Sequence, residues 1–182
     1  MAYCRVLHYY FIWNGTGTWD KTVYWSTGVV PESTDIAFVE SGTLTLNQDA
    51  EVAGMVIEAG AVLQIAPNQT LTVSDTLTNK AGNSGLVLES DATGTGMLMN
   101  NSTGIQATVE QYLVKDQWHY MGIPVSYVSN VDDVSHGCYV AWIDESNASS
   151  ASTSGWEYLS EGDSLIALHG YAMQHNKAMI LQ

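Results

Sequence analysis

Apolar and polar positions alternate with period two through the middle third of the chain. Ile36 and Phe38, Leu44 and Leu46, Leu63 and Ile65, and Leu71 and Val73 are each separated by a polar or small residue. This alternation predicts short half-buried strands. No segment carries apolar residues at three-to-four spacing with caps, so helices are not expected. The strands also repeat. Val39-Glu40-Ser41-Gly42-Thr43-Leu44-Thr45-Leu46 is echoed 18 to 19 residues later by Ile57-Glu58-Ala59-Gly60-Ala61-Val62-Leu63-Gln64-Ile65, and Val52 is followed 19 residues on by Leu71. A period near twenty with glycines at the corners (Ser41-Gly42, Ala59-Gly60, Ala81-Gly82) predicts a solenoid of stacked strands. After Leu77-Thr78-Asn79 the period loosens. Further strands are expected at Leu86-Val87-Leu88, Met97-Leu98-Met99 and Ile105, Ala107 and Val109.

The flanks read differently. Residues 13–35 are rich in Trp, Gly and Thr, and Pro31 stops any regular element. Trp13, Trp19 and Trp25 suit a hydrophobic lid over the open end of a solenoid; flat rings for stacking on sugars are the alternative. Residues 114–182 change register. Trp118-His119-Tyr120-Met121-Gly122-Ile123-Pro124-Val125 predicts a strand ended by a proline. Tyr139-Val140-Ala141-Trp142-Ile143 and Trp156-Glu157-Tyr158-Leu159 predict a hairpin around a long Ser/Ala loop, and the strands at 165–168 and 171–173 continue the pattern. The expected architecture is therefore all-β. A Trp-rich N-terminal cap or leader (1–35) precedes a short right-handed parallel β-helix (36–113) and a truncated antiparallel β-sandwich-like module (114–182).

Charge narrows the partners. Nineteen acidic residues oppose five basic ones in the 182-residue chain, a formal net charge of -14. Five scattered cations cannot build a phosphate-binding surface, which argues against nucleic acid and anionic membranes. The apolar start, 1–13, is too short to span a bilayer and lacks the layout of a signal peptide. Residues 178–182 stop inside a strand pattern, so the chain reads as a piece of a longer exported protein. Cys4 and Cys138 are compatible with one disulfide or with two buried thiols.

Candidate chemistry is sparse. His8, His119, His136, His169 and His175 do not fall at zinc-ligand spacing. Asp132-Asp133 and Asp144-Glu145 offer oxygen ligands to Ca2+ or are simply solvated, and no calcium-loop motif surrounds them. A lyase on a β-helix needs a base beside acidic metal ligands, and Lys80 is the only cation in the repeat region. Glu40 and Glu58 occupy equivalent corners, expected about 5 Å apart, which suits either a hydrolase pair or an exposed acid ladder. No nucleophile elbow, phosphate loop or dinucleotide fingerprint is present. No catalytic, cofactor or metal residue is assigned. Trp142 and Trp156, beside the long loop, are the candidate ligand-stacking pair.

The motif order resembles a known group. The stretch Ile57-Glu58-Ala59-Gly60-Ala61-x-Leu63-x-Ile65, followed by Leu71-Thr72-Val73 and Leu77-Thr78-Asn79, is similar to the repeat region of exported Bacteroidota-type surface proteins. The segments 85–98, 107–113 and 118–125 follow in the order that group shows between its β-helix and its β-sandwich. The resemblance implies a type IX secretion substrate, extracellular or on the cell surface, and carries no catalytic residues. Asp75-Thr76-Leu77 and Asp163-Ser164-Leu165 are similar to the short O-glycan acceptor of such proteins. The expected role is a non-catalytic structural or adhesive segment with glycans or other surface proteins as partners. A carbohydrate-binding module and a self-associating fibre subunit are the alternatives.

Overall fold

The computed structural model describes residues 10–122, 138–143, 155–160, 162–166, 169–176 and 178–181. It is an all-β protein, 57% strand, with a parallel β-solenoid of about five turns followed by antiparallel sheet. Two compact units divide between Gln111 and Tyr112.

The first unit is the solenoid. Its strands are β1 (Tyr10–Thr18), β2 (Ile36–Leu46), β3 (Ala50–Ile57), β4 (Val62–Ile65), β5 (Thr70–Asn79) and β6 (Leu86–Leu88). A small antiparallel excursion, β7 (Ser90–Asp91) with β8 (Gly94–Thr95), precedes β9 (Met97–Asn100) and β10 (Thr108–Val109). All the ladders between turns are parallel. The long strand β2 bends at its middle. Residues 36–39 pair with the end of β3 and residues 43–46 pair with β4, so one strand serves two faces. The parallel ladder begins at Tyr10, ahead of the start at residue 36 expected from the repeat, because β1 lies along β2.

Inside, like stacks on like. Leu44, Leu63 and Leu86 form one column, and Leu46, Ile65, Leu88 and Val109 form its neighbour. Phe11, Ala37, Met55 and Leu77 form a third, in which Ala37 is the one small side chain. Burying one such aliphatic side chain stabilises by roughly 1.5–3 kcal/mol, and each column repeats that gain turn after turn. The predicted stacking of Leu44 on Leu63 is therefore present.

Two details differ from the sequence reading. Val52 lies opposite Val73, and Leu71 lies opposite Ala50. The 19-residue offset between Val52 and Leu71 is thus not a register match. The turn lengthens on this side, and a bulge after Val52 accommodates the extra residue of β5. Further along, Leu63 meets Leu86, an offset of 23. In the first half of β2, Ala37 and Val39 are the buried pair, while Ile36 and Phe38 are half-buried on the outer side. Phe38 stacks there against Tyr10, with ring centroids 5.5 Å apart. Both residues of every pair in 36–39 are apolar, so alternation alone does not tell in from out.

The corners explain the glycines. Gly42 has φ +77° and packs so close to the preceding turn that a Cβ would lie 2.0 Å from the Gly15 carbonyl oxygen. Gly60 has φ +86° with open space around it. Both need the left-handed region, but only the first also needs the absence of a side chain.

The boundary falls one residue into β11 (Gln111–Leu113), and the second unit goes on with β12 (Trp118–Gly122), β13 (Cys138–Ile143), β14 (Trp156–Tyr158), β15 (Gly170–His175) and β16 (Met179–Leu181). Strands β11 and β16 pair with each other. The other four form an antiparallel sheet in the order β12, β15, β13, β14. The expected hairpin is there, with Ala141, Trp142 and Ile143 opposite Tyr158, Glu157 and Trp156. Its core is Leu113, Val140, Leu165, Tyr171 and Met173, with Met121, Trp142 and Leu159 packed against it. Cys4, the Cys138 side chain, His8, His136, Asp132-Asp133, Asp144-Glu145 and most of the Ser/Ala loop lie outside the described residues.

Candidate functional site

Within the solenoid, the residues with chemical potential are engaged in holding the fold. Trp13, Trp19 and Trp25 are buried together. Their rings meet edge to face, Trp19 and Trp25 at 5.0 Å and Trp13 and Trp25 at 5.2 Å between centroids. The indole N–H of Trp25 donates to the Trp19 carbonyl and that of Trp13 to the Gly15 carbonyl, each at 3.0 Å. Gly15 and Gly17 leave room for the Tyr24 ring, which would otherwise lie within 2.7 Å of their Cβ atoms. No indole face here is open to a sugar.

Glu40 and Glu58 each have a bonded partner. Asn14 Nδ2 donates to Glu40 Oε2 at 2.7 Å, and Lys80 Nζ donates to Glu58 Oε1 at 2.7 Å. The corner thus runs amide, carboxylate, carboxylate, ammonium, with each acid taking a partner from the turn on its own outer side. Lys80, the lone cation of the repeat, is engaged in this exposed ion pair. Asp20 is held down to about 2, chiefly by the Thr18 hydroxyl and then by Lys21.

A second acidic group surrounds the β7–β8 excursion. Burial raises the Glu89 carboxyl above its ordinary value, and the nearby Glu110 and Asp91 carboxylates add to the effect. Asp91 is lowered by bonds from the Thr93 hydroxyl and amide, while Glu110 accepts from the Ser90 amide at 3.1 Å. Among the described residues no group of three or more His, Cys, Asp or Glu side chains is arranged to hold a metal ion.

The four-stranded sheet of the second unit offers a different surface. Side chains on a strand alternate between faces, and ladder partners share a face. His119, Met121, Val140, Trp142, Tyr171 and Met173 therefore lie on one side, toward the core. On the other side Trp118 faces Gln174, which faces Tyr139. Tyr120, Ala172, Ala141 and Tyr158 form the next row. Gly122 with Gly170, and Ile143 with Trp156, form the last.

Five aromatic side chains on this side are exposed: Trp118, Tyr120, Tyr139, Trp156 and Tyr158, with Tyr120 at 76%. Between them, Ala141 and Ala172 are buried beneath the rings. Tyr120 and Trp156 start from strands that are not neighbours, yet their rings come to 6.4 Å across this small-residue floor. Two open depressions result, of about 210 Å³ and about 420 Å³, sharing Trp118 and Tyr158. Gln174 lines the larger one, fixed by a 3.0 Å bond from its Nε2 to the Asp116 carbonyl.

The two tryptophans expected to stack a ligand are thus separated. Trp156 belongs to the open aromatic face. Trp142 is on the core side, its ring 5.8 Å from His169. The sequence reading missed Trp118, Tyr120, Tyr139 and Tyr158. Their signal is the alternation Trp118-x-Tyr120, Tyr139-x-Ala141 and Trp156-x-Tyr158, which marks one face once the register is known. His119 Nε2 accepts from the Val114 amide at 2.9 Å, a structural bond.

No protein-family model matches the chain, and neither a curated protein nor a solved structure matches it.

Proposed function

We propose that this chain is a non-catalytic structural or adhesive segment of a bacterial protein that is secreted or displayed at the cell surface, with the solenoid as spacer and the antiparallel unit as binding head. The observation that carries the reading is the run of aliphatic columns through successive solenoid turns. They fill the interior, while the acidic corner residues are committed to structural partners. Such a body is built for rigidity. The proposal includes right-handed winding, as favoured for parallel crossovers. It also includes a capping role for Trp13, Trp19 and Trp25, and a second sheet completing a sandwich around the antiparallel unit. The resemblance to exported Bacteroidota-type surface proteins supports the extracellular setting.

The test is limited proteolysis of the folded chain beside a panel of polysaccharide-degradation assays. A resistant fragment ending near residue 111, with no release of reducing ends, is the expected result. Turnover of any polysaccharide would overturn the non-catalytic reading. Filaments in negative stain would instead favour a fibre subunit, since unpaired edges of a solenoid are adhesive.

A further inference from the structure

Large exposed apolar patches on a folded protein mark interaction sites, and the face built by Trp118, Tyr120, Tyr139, Trp156 and Tyr158 is such a patch. Its composition restricts what it can hold. The ladder positions on this side carry Trp, Tyr, Ala, Gly, Gln and a single aliphatic residue, Ile143; none is charged. The surrounding chain is strongly acidic, with a net charge of -14. A polyanion would be repelled by that field, and a cationic partner would find no carboxylate at the described ladder positions of this face to meet it. An uncharged ligand is the complement.

The rings are tyrosine and tryptophan, which join a flat apolar surface to a polar tip. The floor of Ala141 and Ala172 keeps the centre low between the aromatic rows, and Gln174 adds an amide anchored from one side. The C–H face of a pyranose ring matches the flat rings, while its hydroxyls match the amide and phenol tips. The patch runs across four strands, which at about 4.8 Å per strand spans more than one sugar ring. We propose that this sheet face is a binding site for an uncharged polysaccharide, lying across the strands between Trp118 and Trp156. The inference deepens the adhesive reading and rests on it, by giving the binding head a ligand class.

Affinity electrophoresis tests it directly. The whole chain is run through gels containing hydroxyethylcellulose, mixed-linkage β-glucan, arabinoxylan, galactomannan or amylopectin, with polygalacturonate as the anionic comparator. Retardation by at least one neutral polymer and none by polygalacturonate is expected. Tyr120→Ala and Tyr158→Ala should each weaken that retardation about tenfold, the loss of roughly one stacked ring. Both side chains are largely exposed, so the variants should keep the parent far-ultraviolet circular dichroism and unfolding midpoint. Trp142→Phe, on the opposite face, should bind as the parent does.

The proposal fails if the folded chain is retarded by none of the neutral polymers, or only by polygalacturonate. It fails equally if retardation survives both tyrosine substitutions. A concentration-dependent dimer that Tyr120→Ala abolishes would overturn it as well, by making the face a contact between copies. Release of reducing ends during binding would refute the non-catalytic reading while leaving the site in place, so the two failures are distinguishable.

Discussion

The two units use the same residue type in opposite ways. In the solenoid Trp13, Trp19 and Trp25 are sealed inside, their rings edge to face and two of their indole N–H groups bonded to backbone carbonyls. In the antiparallel unit Trp118 and Trp156 are exposed on a sheet face with no charged ladder position. A parallel solenoid coils round a closed interior, and every inward ring finds a neighbour from the turn above or below. An antiparallel sheet packs one face and leaves the other to water or to a partner. The contrast shows that aromatic richness is not itself a functional signal; the topology around each ring decides.

The largest effect that would test this contrast is on stability. Trp13→Ala should cost about 3–5 kcal/mol in the solenoid, because it opens a cavity among Trp25, Tyr24 and the first two turns. Trp156→Ala should cost about 1 kcal/mol or less, since an exposed ring leaves no sealed cavity. Denaturant titration of the two variants measures the difference. Equal costs would mean that Trp156 is packed as a core residue and that the open face is misassigned.

The next effect distinguishes two corners of the solenoid itself. Gly42→Ala combines a left-handed backbone with a Cβ driven against the Gly15 carbonyl. Adding the conformational cost to the overpacking cost gives about 2–5 kcal/mol. Gly60→Ala has only the first, about 1–2 kcal/mol. Thermal melts of the pair should separate clearly. If they coincide, the close approach between the first two turns is absent.

Tryptophan fluorescence sharpens the comparison without altering stability. Quenching by acrylamide should resolve an accessible class, from Trp118 and Trp156, and a shielded class, from Trp13, Trp19 and Trp25. A Trp118→Phe, Trp156→Phe double variant should lose most of the accessible component. A neutral polysaccharide seated on the face should protect that component in the parent chain. A single uniform class would contradict the division.

Much of the solenoid is legible in the sequence. The echo of 39–46 in 57–65 carried the register correctly, because both segments hold the same apolar, glycine and polar sequence and a turn of fixed length joins them. The step from Val52 was misread because the next turn is longer and bulged, and periodicity cannot see where extra residues are absorbed. The phase of 36–39 was hidden because Ile36, Ala37, Phe38 and Val39 are all apolar. The candidate site was legible only in part. Trp156 was found, yet Trp142 was grouped with it because neighbouring strands in sequence say nothing of which face each ring occupies. In the hairpin Trp142 pairs with Glu157, and Trp156 pairs with Ile143, so one step of register puts the two rings on opposite sides.

The smallest effect concerns charge in the solenoid. Glu89 and Asp91 lie two residues apart yet shift in opposite directions. Glu89 is raised because burial and the carboxylates of Glu110 and Asp91 disfavour its charge. Asp91 is lowered because the Thr93 hydroxyl and amide bond its charged form. A carboxyl raised in the folded state binds its proton more tightly there than in the unfolded chain. Its ionisation therefore weakens the fold at neutral pH, and the loss is recovered as pH falls through the folded value toward the unfolded one, about 4.3. Glu89→Gln should accordingly raise the melting temperature at pH 7, with the gain shrinking toward zero near pH 4. Asp91→Asn should act in the other sense, lowering it at pH 7 by exchanging the charged acceptor for Thr93 for a weaker, neutral amide oxygen, with that penalty fading as acid protonates the parent. Opposite signs from two residues on one short excursion separate a local electrostatic cause from the general repulsion of an acidic protein. If both substitutions stabilised equally at pH 7, net charge alone would explain them, and the bonds from Thr93 would contribute nothing measurable.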